Sequence, residues 1–302
     1  MKQSCPLLGL GRLCSLFGLT RQAYYQQSRR DLGLELKSRV TLELVAKIRK
    51  QQPKIGVRKL YFLIQQDMRH HQIKIGRDGL FDLMAARGLL VQKRKRLIKT
   101  TNSQHWHRKY DNLIKEVVPN KRDQLWASDI TYIPVAGSFC YLSLVTDIYS
   151  HKIVGFNVSE NLAADGCIKS LNMALKGRSV TSNLIHHSDR GIQYCCTEYV
   201  KILQANNVSI SMTQNSDPYE NAIAERVNGI LKEELLQDKY SDYTSANKAI
   251  KAAIATYNNK RPHMSCDMLT PAAAHLKKGP LKRRWKNKIY KRLILKPTVN
   301  LF

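Results

Sequence analysis

Three acidic residues stand where a carboxylate could take part in chemistry. Asp129 lies inside a run of apolar, β-branched and aromatic residues that predicts a strand. Asp189 ends a shorter apolar run, and Glu225 lies in a stretch with helical periodicity. An ionised carboxylate within a strand is costly unless it is paired or binds a metal. Oxygen ligands without histidine or thiolate suit Mg²⁺ or Mn²⁺, and two such ions about 3.5–4 Å apart can promote attack on a phosphodiester.

Whether the carboxylates meet depends on the order of the strands around them. Alternation and turn signals predict strands at residues 125–133, 139–148, 153–158, 183–187 and 208–212, and helices at 163–175, 198–205 and 245–258. Three meander strands followed by alternating strands and helices imply a mixed five-stranded α/β sheet with helices on both faces. If the first and fourth strands are neighbours, Asp129 and Asp189 converge at one edge of this sheet. Composition alone leaves the alternative of three unrelated acids among 23.

The helix that contains Glu225 has recognisable start signals. Asp217 can cap it, Pro218 suits its first turn, and Glu220 completes a capping box. At about 100° per residue, one face carries the apolar residues Ile223, Val227, Ile230 and Leu231. The opposite face carries Asn221, Glu225, Asn228 and Lys232. This polar face, away from the apolar stripe, predicts either a functional surface or simply a solvated side of the helix.

The positive charge of the chain is concentrated at its two ends. The 302 residues are enough for about two domains, and they carry a formal net charge of +27. Residues 1–120 carry +17 and residues 277–302 carry +10, whereas residues 121–276 are neutral. A neutral centre between basic arms indicates a polyanionic partner, most simply nucleic acid. A role in solubility alone explains this distribution less well.

The basic N-terminal part has the pattern of short paired helices, seen at residues 8–30, 41–66 and 77–88. In the first pair, Gly18 would end one helix and Thr20 would cap the next. A second helix–turn–helix module would present Arg58, Lys59 and Arg77 to DNA. The alternative is a helical bundle that merely has a basic surface.

The seven cysteines form no recognisable framework. Their odd number and irregular spacing argue against disulfides and favour a reducing cytoplasm. No Cys-x-x-Cys pair occurs, and the adjacent Cys195-Cys196 fits zinc-ligand spacing poorly, so we expect no structural zinc. No apolar run approaches the roughly 18 residues of a membrane span, and the first residues make a poor signal peptide. We therefore expect a cytoplasmic protein without a membrane partner.

Three sequence blocks surround the acids: Trp126-x-x-Asp129-x-Thr131-Tyr132, His187-Ser188-Asp189-Arg190-Gly191-x-Gln193-Tyr194 and Tyr219-Glu220-Asn221-Ala222-x-Ala224-Glu225. Asp189 and Glu225 have 35 residues between them. Together these blocks resemble the catalytic blocks of bacterial insertion-sequence transposases with a DDE, retroviral-integrase-like core. Residues 257–263 resemble the block after that core, and residues 55–60 and 83–89 resemble the helix–turn–helix segment ahead of it.

The resemblance implies an RNase H-like fold in which Asp129, Asp189 and Glu225 hold two Mg²⁺ or Mn²⁺ ions. It implies cleavage of DNA by water and joining by the freed 3′-hydroxyl, on double-stranded element ends and target DNA. It also implies a homo-multimer on DNA and an upstream reading frame that acts as a partner or a fusion. The alternatives are a catalytically inactive DNA-binding or repressor protein of the same fold and a nuclease without strand transfer.

These patterns divide the chain into four parts. We expect a helical DNA-binding region at residues 1–100, a linker at 101–120, an RNase H-like integrase core at 121–276 and a basic tail at 277–302. The tail is either an additional DNA-binding arm or a remnant. Residues 214–217 and Glu220 depart from the family pattern, so contacts of this loop with a DNA end do not carry over from it.

The candidate DNA contacts in the core are polar residues near the acids or in the block that follows them: His187, Asn221, Lys232, Lys260 and Arg261. For His187 the alternative is packing beside Asp189. For Asn221 the alternative is orienting Glu225.

Overall fold

The computed structural model describes residues 8–92, 106–115, 117–178, 183–214 and 221–284. By its contacts the chain divides into a helical unit, residues 1–98 with 233–235, and a sheet-containing unit, residues 99–232 with 236–302. No helix in these described ranges is long and apolar enough to cross a membrane. The part of the predicted basic tail beyond residue 284 lies outside the described residues.

The helical unit contains four helices, α1 (Leu10–Leu16), α2 (Arg21–Arg49), α3 (Val57–His70) and α4 (Arg77–Ala86). The predicted break and cap between α1 and α2 are confirmed, because Gly18 has a φ of +65° and Thr20 Oγ1 accepts a hydrogen bond of 3.0 Å from the backbone of Ala23. The helices predicted to begin at residues 21 and 41 are instead one helix of 29 residues. Gly33, which lies inside it, lowers helix propensity by only about 1 kcal/mol and does not end it.

The core of this unit is formed by one stripe from each of three helices and by the turns between them. Leu60, Ile64 and Met68 recur every four residues along α3 and are almost fully buried. They join a cluster whose other buried members are Val45, Ile55, Ile73, Leu80 and Met84.

The second unit is built on five strands, β1 (Leu125–Val135), β2 (Ser138–Asp147), β3 (Ile153–Ser159), β4 (Leu184–Ser188) and β5 (Val208–Met212). Their order in the sheet is β3-β2-β1-β4-β5. The β1–β2 and β2–β3 pairs are antiparallel, whereas β1–β4 and β4–β5 are parallel. The predicted mixed five-stranded sheet is therefore confirmed. The first and fourth strands are neighbours, which is the condition on which the convergence of Asp129 and Asp189 depended.

Helices cover both faces of this sheet because successive residues of a strand point to opposite sides. On one face Trp126 joins a buried core with residues of α5 (Ala164–Gly177), α6 (Ile192–Cys195) and α7 (Thr197–Ala205). On the other face Asp129 and Thr131 of β1 receive hydrogen bonds from α8 (Ala222–Ile230) and from the π-helical turn after it, Leu231–Leu235. The helices α9 (Tyr243–Asn259) and α10 (Pro271–His275) follow.

The described part of the helix that contains Glu225 begins at Ala222, and the predicted capping residues Asp217, Pro218 and Glu220 lie outside the described residues. The start of a later helix differs from its predicted position. The start predicted at Ser245 is moved two residues back, because Asp242 and Ser245 form a capping box.

Helix α5 lies very close to β3. A Cβ atom added to Gly155 would stand 2.1 Å from the backbone oxygen of Ser170 in α5. Only glycine therefore permits this helix–sheet distance, and the sequence supplies it at that position.

The two outer strands of the sheet are covered by other parts of the same unit. At β3, the side-chain amide of Asn258 accepts from the backbone N–H of Ile153 at 3.0 Å and donates to its carbonyl at 2.9 Å. At β5, the backbone N–H of Met212 donates to the carbonyl of Asp111 at 3.3 Å, and Ser211 Oγ accepts from the backbone of Leu113 at 2.9 Å.

Candidate active site

Asp129 and Asp189 are brought near each other by the parallel pairing of β1 and β4. The register pairs Leu125 with Ile185 and Ala127 with His187, and Asp129 and Asp189 each follow two residues after the last of these pairs. The charge of Asp189 acts on the carboxyl group of Asp129, so the two side chains lie near each other.

Each aspartate is oriented by neighbouring N–H groups. Asp129 is half-buried; its Oδ2 accepts from Asn228 Nδ2 at 2.7 Å, and its Oδ1 accepts from the backbone of Ile130 at 2.9 Å. Asp189 Oδ1 accepts from the backbone N–H of Gly191 at 3.0 Å. The turn after β4, predicted from the sequence, therefore fixes the second carboxylate.

The negative charges of Asp189 and Glu225 affect the pKa of Asp129. Burial, followed by the charge of Asp189 and more weakly that of Glu225, raises the pKa of its carboxyl group to about 7, against the two hydrogen bonds that lower it. Like charges held together in a partly desolvated place favour a proton or a cation. Oxygen donors of this kind match a hard divalent ion.

Glu225 is presented by α8 from the face of the sheet that carries Asp129. Its side chain is exposed, unlike those of the helix residues around it that touch β1. The ligand atoms of the three acids do not all lie within 4.8 Å of one another, since the group of three that meets this distance in the described ranges is a different one.

The polar face of α8 is not a solvated surface. Asn221 and Asn228 are 7% and 5% exposed, and they donate to the backbone oxygen of Ser128 and to Asp129. Lys232 Nζ donates to Thr131 Oγ1 at 3.1 Å. The alternative of a solvated helix face therefore does not hold for these three residues, because β1 offers them polar partners, whereas Glu225 on the same face is exposed.

Asn228 also belongs to the candidate site, although it is not among the site residues predicted from the sequence. It follows Glu225 by three residues and so lies on the same side of the helix. This spacing could have indicated a role for Asn228, since an amide one helical turn after a candidate metal ligand can donate a hydrogen bond to a second carboxylate. The structure gives it a contact with the Asp129 carboxylate itself.

Besides Asn221, two predicted DNA contacts of the core are buried. His187 is 0% exposed and its Nδ1 lies 2.9 Å from Ser211 Oγ, in agreement with the packing alternative. Arg261 is 2% exposed, and its guanidinium group lies over the ring of Tyr257 at 5.8 Å. A residue without surface cannot reach a DNA phosphate, so these two predictions are not supported. Lys260 is exposed.

The block that contains Arg261 has a structural task instead. The hydroxyl of Tyr257 donates to the carbonyl of His151 at 2.9 Å, and the amide of Asn258 holds the start of β3. These contacts attach the end of α9 to the loop after β2.

Among the predicted contacts of the helical unit, Arg58 and Arg77 are exposed. Arg77 is paired with Asp78 at 2.7 Å. The side chain of Lys59 is only 14% exposed, and its Nζ lies 3.1 Å from Glu234 Oε1. Because this ammonium group is already neutralised and largely buried, the predicted DNA contact of Lys59 is not supported.

Comparisons with known proteins find family models for the sheet-containing unit and relatives that cover most of the chain. Residues 119–218 and 206–271 match family models that are both described as an integrase core domain, and the two ranges include all three acids. An uncharacterized 31 kDa protein of insertion element IS600 from Shigella sonnei is 32% identical over 274 residues, covering 86% of this chain and 96% of the relative. The transposase for insertion sequence element IS629 from Shigella sonnei is 28% identical over 261 residues, covering 84% of this chain and 86% of the relative. The HTLV-2 integrase catalytic core domain in complex with magnesium aligns with a TM-score of 0.42 at 18% identity, over 51% of this chain and 97% of that one.

Proposed function

Because the chain belongs to the bacterial insertion-sequence transposases with an integrase core domain, which are polynucleotidyl transferases, we propose that it cleaves the DNA at the ends of its element and joins them to target DNA in a reaction that depends on divalent cations. The observation that carries the proposal is the proximity of Asp129, inside β1, to Asp189, directly after the neighbouring parallel strand β4, with Glu225 on the helix that contacts Asp129.

Asp129, Asp189 and Glu225 would hold two Mg²⁺ or Mn²⁺ ions, which when bound activate the attacking oxygen and stabilise the leaving oxygen. The raised pKa of Asp129 supports this assignment, because a cation would relieve the repulsion that now favours protonation. Asn228 would keep Asp129 in one orientation while a cation binds its other oxygen.

The reaction has two in-line displacements at phosphorus. In the first, water attacks a phosphodiester at the element end; a new P–O bond forms, the bond to the 3′-oxygen breaks, and a 3′-hydroxyl is released. In the second, that hydroxyl attacks a phosphodiester of the target and displaces its 3′-oxygen. Positioning by the protein provides much of the catalysis in such transfers.

No covalent bond between protein and DNA is part of this scheme. The two hydroxyl side chains nearest to Asp189 along the chain, Ser188 and Tyr194, are 1% and 2% exposed. Burial also raises the pKa of Tyr194 well above its ordinary value. Neither hydroxyl is placed to act as a nucleophile on DNA.

Double-stranded DNA is the proposed partner, in the form of element ends and target. The exposed Arg58, Arg77 and Lys260, together with the half-buried Lys232, remain the proposed phosphate contacts, and the excess positive charge at both ends of the chain supports them. We propose that a homo-multimer holds two ends together, that an upstream-frame protein or fusion contributes to end recognition, and that the protein associates with the bacterial nucleoid through DNA.

The test uses a labelled duplex that carries the ends of the element encoding this chain. Wild-type protein with Mg²⁺ or Mn²⁺ should cleave and join it, whereas Asp129→Asn, Asp189→Asn and Glu225→Gln should lose both products by 10²-fold or more. Asp165→Asn, a change of an exposed acid on α5, is the matched control and should keep full activity.

Each other outcome contradicts the proposal in a specific way. Cleavage without joining identifies a nuclease. Retarded DNA without broken strands identifies a DNA-binding protein or repressor. Activity retained in any of the three variants removes that acid from the site.

A further inference from the structure

A second cluster of potential metal ligands lies in the same unit but shares no residue with the acidic site. His151, His263 and Cys266 each offer one ligand atom, and these atoms all lie within 4.8 Å of one another. The three residues come from two loops that are distant in sequence: the loop between β2 and β3, and the 3₁₀ turn Met264–Cys266 that follows α9.

The backbone holds the three side chains in place. His151 has a φ of +59°, a left-handed conformation that is uncommon for residues other than glycine and asparagine, and its carbonyl accepts from the hydroxyl of Tyr257. The rings of His151 and His263 lie 4.5 Å apart and are nearly parallel, at 12°. Cys266 is fully buried, and its Sγ donates to the carbonyl of Ser150 at 3.5 Å.

This donor set differs in chemistry from that of the three acids. Imidazole nitrogen and thiolate sulfur select borderline-soft ions of the zinc class, whereas Mg²⁺ selects oxygen. We propose that His151, His263 and Cys266 form a binding site for a Zn²⁺-class ion, with solvent as the fourth ligand. The ion would attach the turn after α9 to the loop after β2, at the place where Tyr257 already joins them.

The surroundings of the cluster determine where the protons of its two imidazole rings lie. His263 Nδ1 accepts from the backbone of Ser265 at 3.3 Å, so the neutral ring carries its proton on Nε2. For an ion to bind at Nε2, this hydrogen bond must break and the proton must move to Nδ1. His151 is half-buried, so the site has a side open to solvent. Burial, followed by the charges of Arg283 and Arg261, lowers the pKa of His151 to about 4, so its imidazole is in the neutral form that binds metals.

The thiol of Cys266 must lose its proton when the ion binds. Burial and the charge of Asp147 raise its pKa to about 12, so the thiol is protonated at neutral pH. On binding, the S–H bond breaks, the proton passes to solvent and an S–metal bond forms. Asp147 is fully buried nearby and supplies a negative charge that favours the cation.

The test is a titration of tag-free, chelator-treated full-length protein with Co²⁺ in the presence of excess Mg²⁺, which occupies oxygen sites. Co²⁺ is a spectroscopic substitute for Zn²⁺, and a thiolate ligand gives it a sulfur-to-cobalt charge-transfer absorption. We expect this absorption to saturate at one Co²⁺ per chain and to disappear when Zn²⁺ is added. It should be retained in Cys140→Ser, a change of another buried free cysteine of the same unit.

Cys266→Ser should abolish the absorption, and His151→Asn should weaken Co²⁺ binding at least tenfold. Asparagine tolerates the left-handed backbone at position 151, so this variant tests the ligand without adding strain. Absence of the absorption in the wild type, its persistence in Cys266→Ser, or unchanged affinity in His151→Asn would overturn the proposal. If Cys266→Ser does not fold, His151→Asn decides alone. No DNA is involved, so the result is independent of the transposase activity proposed above.

Discussion

Replacing Asp129 with asparagine should stabilise the protein at pH 8 when divalent cations are absent. The carboxylate of Asp129 is half-buried and faces the charges of Asp189 and Glu225, and these effects raise its pKa from 3.8 to about 7. Above pH 7 the folded protein must therefore hold an ionised group in a place that disfavours ionisation. A neutral amide of the same shape removes this cost.

The size of the effect follows from the shift. A change of about three pKa units corresponds to about 4 kcal/mol at roughly 1.36 kcal/mol per unit, which is the upper bound. The new amide NH₂ needs an acceptor, and Asn228 Oδ1 is a buried oxygen that has no hydrogen-bond partner within the described ranges. A rotated Asn228 can therefore pair with Asn at 129, and we expect a net gain of about 2 kcal/mol, or about 4–8 °C in melting temperature.

The pH dependence of the stability difference tests whether ionisation of Asp129 is its cause. Because the folded-state pKa of Asp129 is raised above the unfolded value, the folded protein binds more protons between about pH 4 and pH 7, and wild-type stability falls as the pH rises through this window. The advantage of the variant should therefore be largest above pH 7. At pH 5 it should be less than half of its value at pH 8.

Scanning calorimetry in EDTA at pH 5 and pH 8 measures both quantities, with Asp165→Asn as the exposed control, which should change stability by less than about 0.5 kcal/mol at either pH. Added Mg²⁺ at pH 8 should stabilise the wild type and leave Asp129→Asn unchanged. A variant that is less stable than the wild type at pH 8, or equally shifted at both pH values, would refute the reasoning about burial and like charge.

Two further predictions test the supports of the site and of the fold. Asn228→Ala removes the 2.7 Å hydrogen bond that lowers the pKa of Asp129, so the lower limb of the pH–rate profile should move up by about 0.5–1 unit, and an unmoved limb would contradict the assigned contact. Gly155→Ala places a methyl group against the carbonyl of Ser170 and should lower the free energy of unfolding by about 1–3 kcal/mol in urea. The control is Gly177→Ala at the end of α5, where an added Cβ has no atom within 4 Å, so the free energy of unfolding should change by no more than about 0.5 kcal/mol. Equal urea midpoints for the two glycine variants would count against the close packing of α5 on β3.

The elements that position the two aspartates could be predicted because their sequence signals are local. Alternating apolar residues and turn signals predict β1 and β4, but the adjacency of these strands was only a condition for the two aspartates to meet. The structure supplies it by pairing β1 with β4. The resemblance to a known family added Glu225, whose helix the local pattern describes but whose approach to the sheet it does not.

What a face of a helix touches could not be predicted from periodicity. The spacing of Asn221, Asn228 and Lys232 correctly places them together, but it does not say whether solvent or a strand lies opposite. In the structure β1 lies there and offers a carboxylate, a carbonyl and a hydroxyl. Periodicity therefore could not show that these three polar residues, which lie opposite the apolar stripe of the helix, pack against β1.

Contacts between distant loops were also out of reach. The expectation of no structural zinc rested on linear spacing, and His151 and His263 stand 112 positions apart in the sequence. The same limit applies to Arg261, whose charge suggested DNA although its position over Tyr257 makes it part of the interior.

The contacts at the two edge strands of the sheet affect how copies of this protein can associate. An edge strand with free backbone N–H and C=O groups can pair with a strand of another chain, which leads to aggregation. Here Asn258 occupies the backbone groups of Ile153 on one side, and residues 111–113 lie along β5 on the other. Copies that assemble would therefore do so through side chains rather than by extending the sheet. A shortened protein that starts at residue 119, where the first family match begins, would lose the cover of β5 and should be more prone to aggregate than one that starts before residue 106.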